Sequence, residues 1–524
     1  MRKMKKVWRT VGILIAGTLL LGGCGNDPNL TNVSTDGMTG SVQENSTESE
    51  VPKFSIGLRT SGIKYVESSP DINKDEHVLA FEDKMGVDLD ISLIPHDGFT
   101  EKLGMMLAQG DFPDCISGDL PYSTVMSGAI ESGLFLPLDD LLKEYAPRLM
   151  EIVPETTWDE LRGPDGKIYG IGDYLSSTAR RCTVIRKDLL DECGLEVPVT
   201  LEDYYNTLVA FKEHGVKYPF CGRANFKYSE TFFAAYGVVP TTWKLNENGE
   251  VVPAYILPEM KEALSFYRKI YEEGLMDPES LTNNLTIRNQ KVASGDVGMF
   301  VGSISEVPSF NTSLQNNVPD GEWICIPSPL NPNGGEHGYA AAAPTVNVHY
   351  INAKCENPED IIRFFDKMLD PELQTFLTYG IEGEFYTLNE DGSVNYTPST
   401  DPDNAFGVIP YFLRRIKDAS IDEAVLLAQP GGDKTIEYFK NEASDDILEY
   451  IQPINLKSLE EHPELSVEEE KQELFINFAS KVLIGEESVD NFDAFIQEWM
   501  ERGGTEVIKE ATEQYRNGKA KIRK

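Results

Sequence analysis

Basic residues are scarce in this chain: 47 Lys and Arg stand against 86 Asp and Glu, for a formal charge of −39. A surface of that sign repels nucleic acid and anionic lipid headgroups, so neither is expected as a partner. Cysteine is scarce as well. Seven are spread over 524 residues, with no C-x-x-C spacing and no histidine pairing, which argues against a zinc cluster and against a small disulfide scaffold. No G-x-S-x-G, H-E-x-x-H or P-loop is present, which removes the usual sequence grounds for several hydrolase classes. No complete calcium loop occurs, and neither a metal nor a cofactor is expected. Nor is there an internal repeat at solenoid spacing. Finally, a long apolar run is missing: VGILIAGTLLL from Val11 to Leu21 falls well short of the roughly 20 residues that span a hydrocarbon core.

That short run follows MRKMKKVWR, which carries five positive charges and no acid. The two together have the form of an export signal. The run closes in Leu21-Gly22-Gly23-Cys24, which resembles the lipobox of bacterial lipoproteins. The resemblance implies cleavage after residue 23 and a diacylglycerol on the Cys24 thiol, whose two acyl chains suffice for stable anchoring. Residues 1–23 are then a signal peptide, and the protein sits on the outer face of the cell membrane. Loss of the leader takes the net charge to about −44. Residues 24–50 are almost wholly polar, small or acidic, and read as a flexible tether.

About 470 residues remain, too many for one hydrophobic core, so two domains are expected. Phe54 to Leu58 reads as a strand, Lys74 to Lys84 as a helix, Val87 onward as a second strand and Glu101 to Ala108 as a helix. This order favours an α/β fold with a largely parallel sheet. Thr200 followed by Glu202 and Asp203 marks a capped helix start. The segment from Pro258 to Glu273 places Met260, Leu264, Tyr267 and Tyr271 on one amphipathic face. After Tyr379 the chain reads as mostly helical. Of the six cysteines beyond Cys24, namely Cys115, Cys182, Cys193, Cys221, Cys325 and Cys355, some can pair and others serve as small buried hydrophobes.

Several segments, in order along the chain, resemble the solute-binding lipoproteins of bacterial ABC importers, in particular the large sugar-binding branch of Gram-positive bacteria. They are EKLGMMLAQGDFPD at Glu101, FLPLDDLLKEYAP at Phe135, DGKIYGI at Asp165, IRKDLLDECGLEVPVTLEDYY at Ile185, SFYRKIYEEGLMDPES at Ser265, SGDVGMF at Ser294, YGIEGEFY at Tyr379 and FDAFIQEWMERGGTEVIKE at Phe492. The resemblance implies an α/β, two-lobed periplasmic-binding-protein-like fold of type II with discontinuous lobes and a cleft between them. One lobe is expected from 51–178 and 343–400, the other from 179–342 and 401–524. One departure stands out: Gly172 follows the GKIYGI segment where the family usually has proline.

The same resemblance implies a monomeric binding protein, not an enzyme. It would capture a carbohydrate by lobe closure and deliver it to the transmembrane subunits of an ABC permease. Sugar recognition needs aromatic rings against the C–H faces and fixed polar groups for the hydroxyls. Trp243 and nearby Tyr236 fall in an apparent loop, Trp158 in another, and Trp323 and Tyr339 flank a Gly/Pro-rich stretch. Each could stack on a sugar or pack in a core. Glu382, set between Gly380 and Gly383, could reach a ligand or brace its loop. Arg59 after the first strand and Asp173 after GKIYGI are further polar candidates, against ordinary surface placement. Asp111 and Asp114 border a turn, where carboxylates commonly cap backbone N–H groups. The few basic residues favour a neutral oligosaccharide.

Three other readings stay open. The solute could be a peptide or another small polar molecule. The protein could be a secreted glycan-active hydrolase, although adjacent acids such as Asp139 and Asp140 do not face one another on a helix, and opposed carboxylates cannot be read from linear sequence. A structural or adhesive lipoprotein would more often show repeats.

Overall fold

The apolar residues of FSIGL build the first strand, and pairing with its neighbours sets the frame of the molecule. The computed structural model describes residues 51–396, 404–468 and 471–524. The expected signal peptide, tether and Cys24 lie outside the described residues. Strand β1 (Lys53–Arg59) runs parallel to β2 (Asp88–Ile94), with Ile56 opposite Ile91. On its other side lies β3 (Cys115–Gly118), and β4 (Gly170–Gly172) ends the run. A second sheet collects β5 (Arg181–Arg186), β6 (Tyr218–Cys221), β7 (Val297–Ser303) and β8 (Trp323–Ile326) in the order β8-β5-β7-β6. Strand β9 (Val348–Ile351) then returns to the first sheet, whose order is β2-β1-β3-β9-β4.

The expected parallel pairing holds within β2-β1-β3. Strand β9 enters straight from the other lobe with no crossover helix behind it, so it runs antiparallel to both β3 and β4. Parallel neighbours require a long crossover; antiparallel ones do not. The second sheet is antiparallel except for β6 beside β7.

Each sheet carries its own core. In the first, Ile56, Leu58, Phe81, Ile116 and Ile171 pack with Tyr350, Phe364 and Phe365, and also with Val408, Phe412 and Ile416. The stretch from Ala405 to Ile416 thus packs in the first lobe, whereas the sequence placed the second lobe's return at residue 401. Its apolar residues continue the first core and turn away only after Ile416. In the second lobe the larger core gathers Tyr204, Phe220, Tyr267, Trp243 and Trp499, and a neighbouring one holds Val184, Phe300, Phe310 and Trp323.

Three segments cross between the lobes and hydrogen-bond side by side. Tyr174 N donates to Lys417 O at 3.1 Å, and Ala419 N returns a bond to Tyr174 O at 2.7 Å. Leu175 N donates to Pro344 O at 3.0 Å, and Ala342 N to Thr178 O at 2.9 Å.

Local expectations are met where a chemical signal was strong. The helix Leu201–His214 starts in a reciprocal cap: Thr200 Oγ1 accepts from Asp203 N at 3.1 Å, while the Asp203 carboxylate accepts from Thr200 N at 2.8 Å. Such a cap satisfies two N–H groups that the helix leaves orphaned. The helix Pro258–Glu272 buries Met260, Leu264 and Tyr267, with Tyr271 partly covered against the same core. The C-terminal region is less helical than expected, since Tyr450–Gln452 and Lys521–Arg523 are strands that join Trp243–Leu245 and Val251–Pro253 in a small sheet. The six described cysteines are free thiols.

Candidate functional site

β1, β2 and β3 end at one edge of the first sheet, beside the start of β9 and the end of β4. Since β4 runs directly into the first crossing, that edge faces the junction of the lobes. In the second sheet β5 begins just after that crossing, Arg181 lies opposite Ser303 at the end of β7, and β6 runs parallel to β7. The loops that follow β6 and β7 therefore reach the same junction. Open α/β sheets bind ligands at the carboxyl ends of their strands, where loops can vary without disturbing the pairing.

A groove of about 650 Å³ opens there, lined by Asp173, Asn347 and Lys417 on one side and Arg180, Ser305 and Glu306 on the other. This is an ordinary size for a ligand cleft. A second hollow of about 800 Å³ lies between Tyr122 and Arg162 of the first lobe and residues 518–524.

The first-lobe wall is held by charge. Asp173 is 1 % exposed and accepts from Thr345 Oγ1 (3.2 Å), Val346 N (2.8 Å), Asn347 N (3.0 Å) and Asn347 Nδ2 (2.7 Å). It locks the second crossing against the first and has little capacity left for a ligand. Gly172 beside it has no room for a side chain, because a Cβ would sit 2.6 Å from both Asn347 O and Thr345 Oγ1. That contact explains the departure from proline, which also carries a Cβ. Arg59 lies over the Phe99 ring at 4.4 Å, and its carbonyl accepts from Arg415 Nη2 at 2.9 Å. Burial pushes the Arg415 pKa down to about 10, with Asp173 opposing. Burial and the Arg414 cation push Lys417 down to about 8.

Beside Glu306 of the second-lobe wall lies a cluster that the sequence reading missed. Tyr228, in the loop after β6, has the guanidinium carbons of Arg181, Arg223 and Arg288 at 3.9, 4.8 and 5.2 Å from its ring centroid. The loop is strained: Asn225, Phe226 and Tyr228 hold φ values of 57°, 57° and 49°, a region costly for side chains and found most often at functional sites. Burial and the neighbouring Arg223 lower the Arg288 pKa, against the pull of Glu306. In Arg181, burial is outweighed by Glu230 and Tyr228, and the pKa rises. The signal in the sequence was modest: Arg180-Arg181 just before a strand, and Arg223 to Tyr228 (RANFKY) just after one, in a chain poor in cations.

Of the residues singled out from sequence, Arg59 and Asp173 do lie at the junction. The aromatics are buried instead, Tyr339 packing beside Tyr228. Trp158 sits on the short helix Glu155–Glu160, not in a loop, and is buried in the first core. Trp243 belongs to a strand in the second core, with Tyr236 buried at the end of the helix Thr231–Ala235. Trp323 on β8 is 1 % exposed and meets Phe300 edge-on at 5.0 Å. The Tyr339 hydroxyl is buried between Thr183 and Thr231. These five rings are packing residues, since the apolar area they remove from water outweighs what a loop position would expose. Glu382 is exposed in a turn bridged to Tyr386 and does not line the groove. Asp114 does cap backbone, accepting from Ser55 N at 2.9 Å. Among the described residues no group of His, Cys, Asp or Glu is placed to hold a metal ion, and no helix is long and apolar enough to cross a membrane.

Known proteins share this architecture. A polygalacturonan/rhamnogalacturonan-binding protein of Bacillus subtilis is 25% identical, covering 98% of this chain and all of its own length. A fructooligosaccharide ABC transporter substrate-binding protein of Streptococcus pneumoniae is 26% identical over 64% of this chain and 63% of its own. The solved structure of an alginate-binding protein superposes with a TM-score of 0.64 at 20% identity, covering 89% of this chain and 98% of that one. The family model for bacterial extracellular solute-binding proteins matches residues 70–375, more than half of the chain and parts of both lobes, so the chain belongs to that family.

Proposed function

We propose that this protein is the extracellular solute receptor of an ABC importer and that its solute is an oligosaccharide. The observation that carries the reading is the groove at the carboxyl edges of two sheets, in lobes joined by three hydrogen-bonded crossings. Two rigid bodies on such a ribbon can rotate toward one another, burying a sugar between polar walls and presenting a closed shape to a permease. The protein performs no bond chemistry in this role; its output is the loaded conformation. It acts as a monomer, anchored to the outer face of the membrane through lipid on Cys24. The two curated relatives are named for sugars of opposite character, one acidic and one neutral, and both support a carbohydrate over a peptide.

Calorimetry on the full chain in mild detergent, against neutral and acidic oligosaccharides with peptides as controls, tests the reading. Saturable 1:1 binding with the sugar recovered intact is the expected result. Release of shortened sugar would make the protein a hydrolase, and binding of peptides alone would overturn the carbohydrate assignment. Cys24→Ser, followed by fractionation, tests the anchor: the variant is expected in the medium and the parent in the membrane.

A further inference from the structure

In a chain of −39, gathering three cations on one ring at the lobe junction is costly. The Arg181, Arg223 and Arg288 side chains repel one another, and the solvent that would screen them is largely excluded. Arg288 is 1 % exposed, and its Nε and Nη1, together with Nε of Arg223, have no hydrogen-bond partner among the described residues. Buried donors are almost always paired, and a buried charge without hydrogen bonds is unfavourable unless an anion approaches it. Two carboxylates face the group, Glu230 and Glu306, so three cations meet two anions and a positive excess remains. In the first lobe Arg59, beside Arg415, likewise has its Nε buried without a partner among the described residues. Tyr228 and Arg223 are half-buried and so open to solvent, and Glu306, which faces the cluster, also lines the groove.

Guanidinium groups donate hydrogen bonds and accept none. A neutral sugar's hydroxyls can accept from these donors but bring no charge to offset the positive excess. A carboxylate accepts only, and its planar pair of oxygens matches the guanidinium fork. The Tyr228 ring holds the three forks in place before any ligand arrives, which lowers the entropy lost on binding.

We propose that the Arg181–Arg223–Arg288 cluster on Tyr228 binds the carboxylate of a uronate-containing oligosaccharide. This rests on the carbohydrate-receptor reading above and names its ligand class. It replaces the neutral sugar expected from bulk composition, since the local arrangement of cations overrides the average.

The test is calorimetry on the full chain with a galacturonate oligomer, its fully methyl-esterified form, a neutral galactose oligomer of equal length and a sulfated oligosaccharide. The free acid is expected to bind about 100-fold more tightly than its ester. Arg223→Gln is expected to weaken the acid by about 10- to 100-fold, the range for a lost charge-assisted hydrogen bond, while leaving the ester unchanged and the unfolding midpoint within the parent's range. Arg223→Lys, which keeps the charge but not the fork, is expected to recover only part of the loss. Equal or tighter binding of the ester or the neutral oligomer would overturn the uronate assignment and keep the carbohydrate receptor. Preference for the sulfated sugar would overturn the carboxylate, and an acid affinity unmoved by Arg223→Gln would overturn the site. Binding of none of the sugars would overturn the receptor reading itself.

Discussion

The Arg523 guanidinium straddles the Glu160 carboxylate, Nη1 to Oε2 and Nη2 to Oε1 both at 2.6 Å, and joins the C-terminal strand to the first lobe. Tyr122 completes the group, donating to Glu160 Oε1 at 2.6 Å and accepting from Arg523 Nη2 at 2.7 Å. Around it Asn455 Nδ2 donates to Tyr122 O, and Lys521 Nζ to Asp159 O, each at 2.6 Å. Both charged side chains are at most 5 % exposed, so removing one strands the other without water. Glu160→Ala is expected to cost about 3–5 kcal/mol in urea unfolding. The double variant Glu160→Leu/Arg523→Met, which removes both charges and keeps the volume, is expected to lie closer to the parent. If the double variant is as unstable as the single one, the pair itself rather than the orphaned charge carries the stability.

Gly172 and Asp173 make one device at the first crossing. With its Cβ 2.6 Å from two oxygens, Gly172→Ala must push the second crossing away and break the β4–β9 pairing of Gly172 with Val348. Gly172→Pro, the residue usual in the family, is expected to be worse, because the ring also fixes φ. Asp173→Ala leaves the amides of Val346 and Asn347 without their acceptor and is expected to lower stability by about 2–4 kcal/mol. Equilibrium unfolding of the three variants gives the ranking. A stable Gly172→Pro would mean that the crossing adjusts where the structure shows contact.

Legibility in the sequence followed the range of the interaction. The Thr200–Asp203 cap and the Met260-Leu264-Tyr267 face were readable because every partner lies within a few residues. The third crossing was not: Arg415 to Ala419 carries no Gly, Pro or change of composition, and only the packing of Phe412 and Ile416 in the first core shows where the chain leaves it. Trp158 looked like a loop residue because its helix has only six residues, shorter than a periodic signal needs. The arginine cluster depends on topology alone. Arg181 opens β5, Arg223 follows β6 and Arg288 lies on the helix Leu285–Ser294 before β7, and nothing local says that these elements meet at Tyr228.

His349 predicts a pH dependence. It lies on β9 beside Phe365, 5.3 Å between ring centroids, with burial and the Arg415 cation pushing its pKa from 6.5 down to about 3. The unfolded chain therefore binds a proton that the folded one refuses in the window between those values. Its contribution to stability is complete above pH 6.5 and is lost as pH falls toward 3, by up to about 1.4 kcal/mol per pH unit. Replacing the group with His349→Leu removes this term. Stability of the parent minus that of the variant is then expected to fall steadily between pH 6.5 and pH 5. Parallel stability curves over that range would show that the imidazole takes up its proton in the folded state.

Trp323 separates packing from binding. Its backbone N donates to Asn311 Oδ1 at 2.6 Å and its carbonyl accepts from Asn311 Nδ2 at 3.0 Å, so the strand position survives a change of side chain. The indole fills space against Phe300 in a buried core. Trp323→Ala is therefore expected to cost about 3–5 kcal/mol, and Trp323→Phe less, because most of the ring volume remains. Neither touches the groove, so the folded fraction of each is expected to bind oligosaccharide within about two-fold of the parent, a change below roughly 0.5 kcal/mol. Urea unfolding and calorimetry on the same preparations give both numbers. A Trp323→Phe protein of parental stability that binds ten-fold more weakly would restore this ring as a sugar platform and would require the second lobe to expose it on closure.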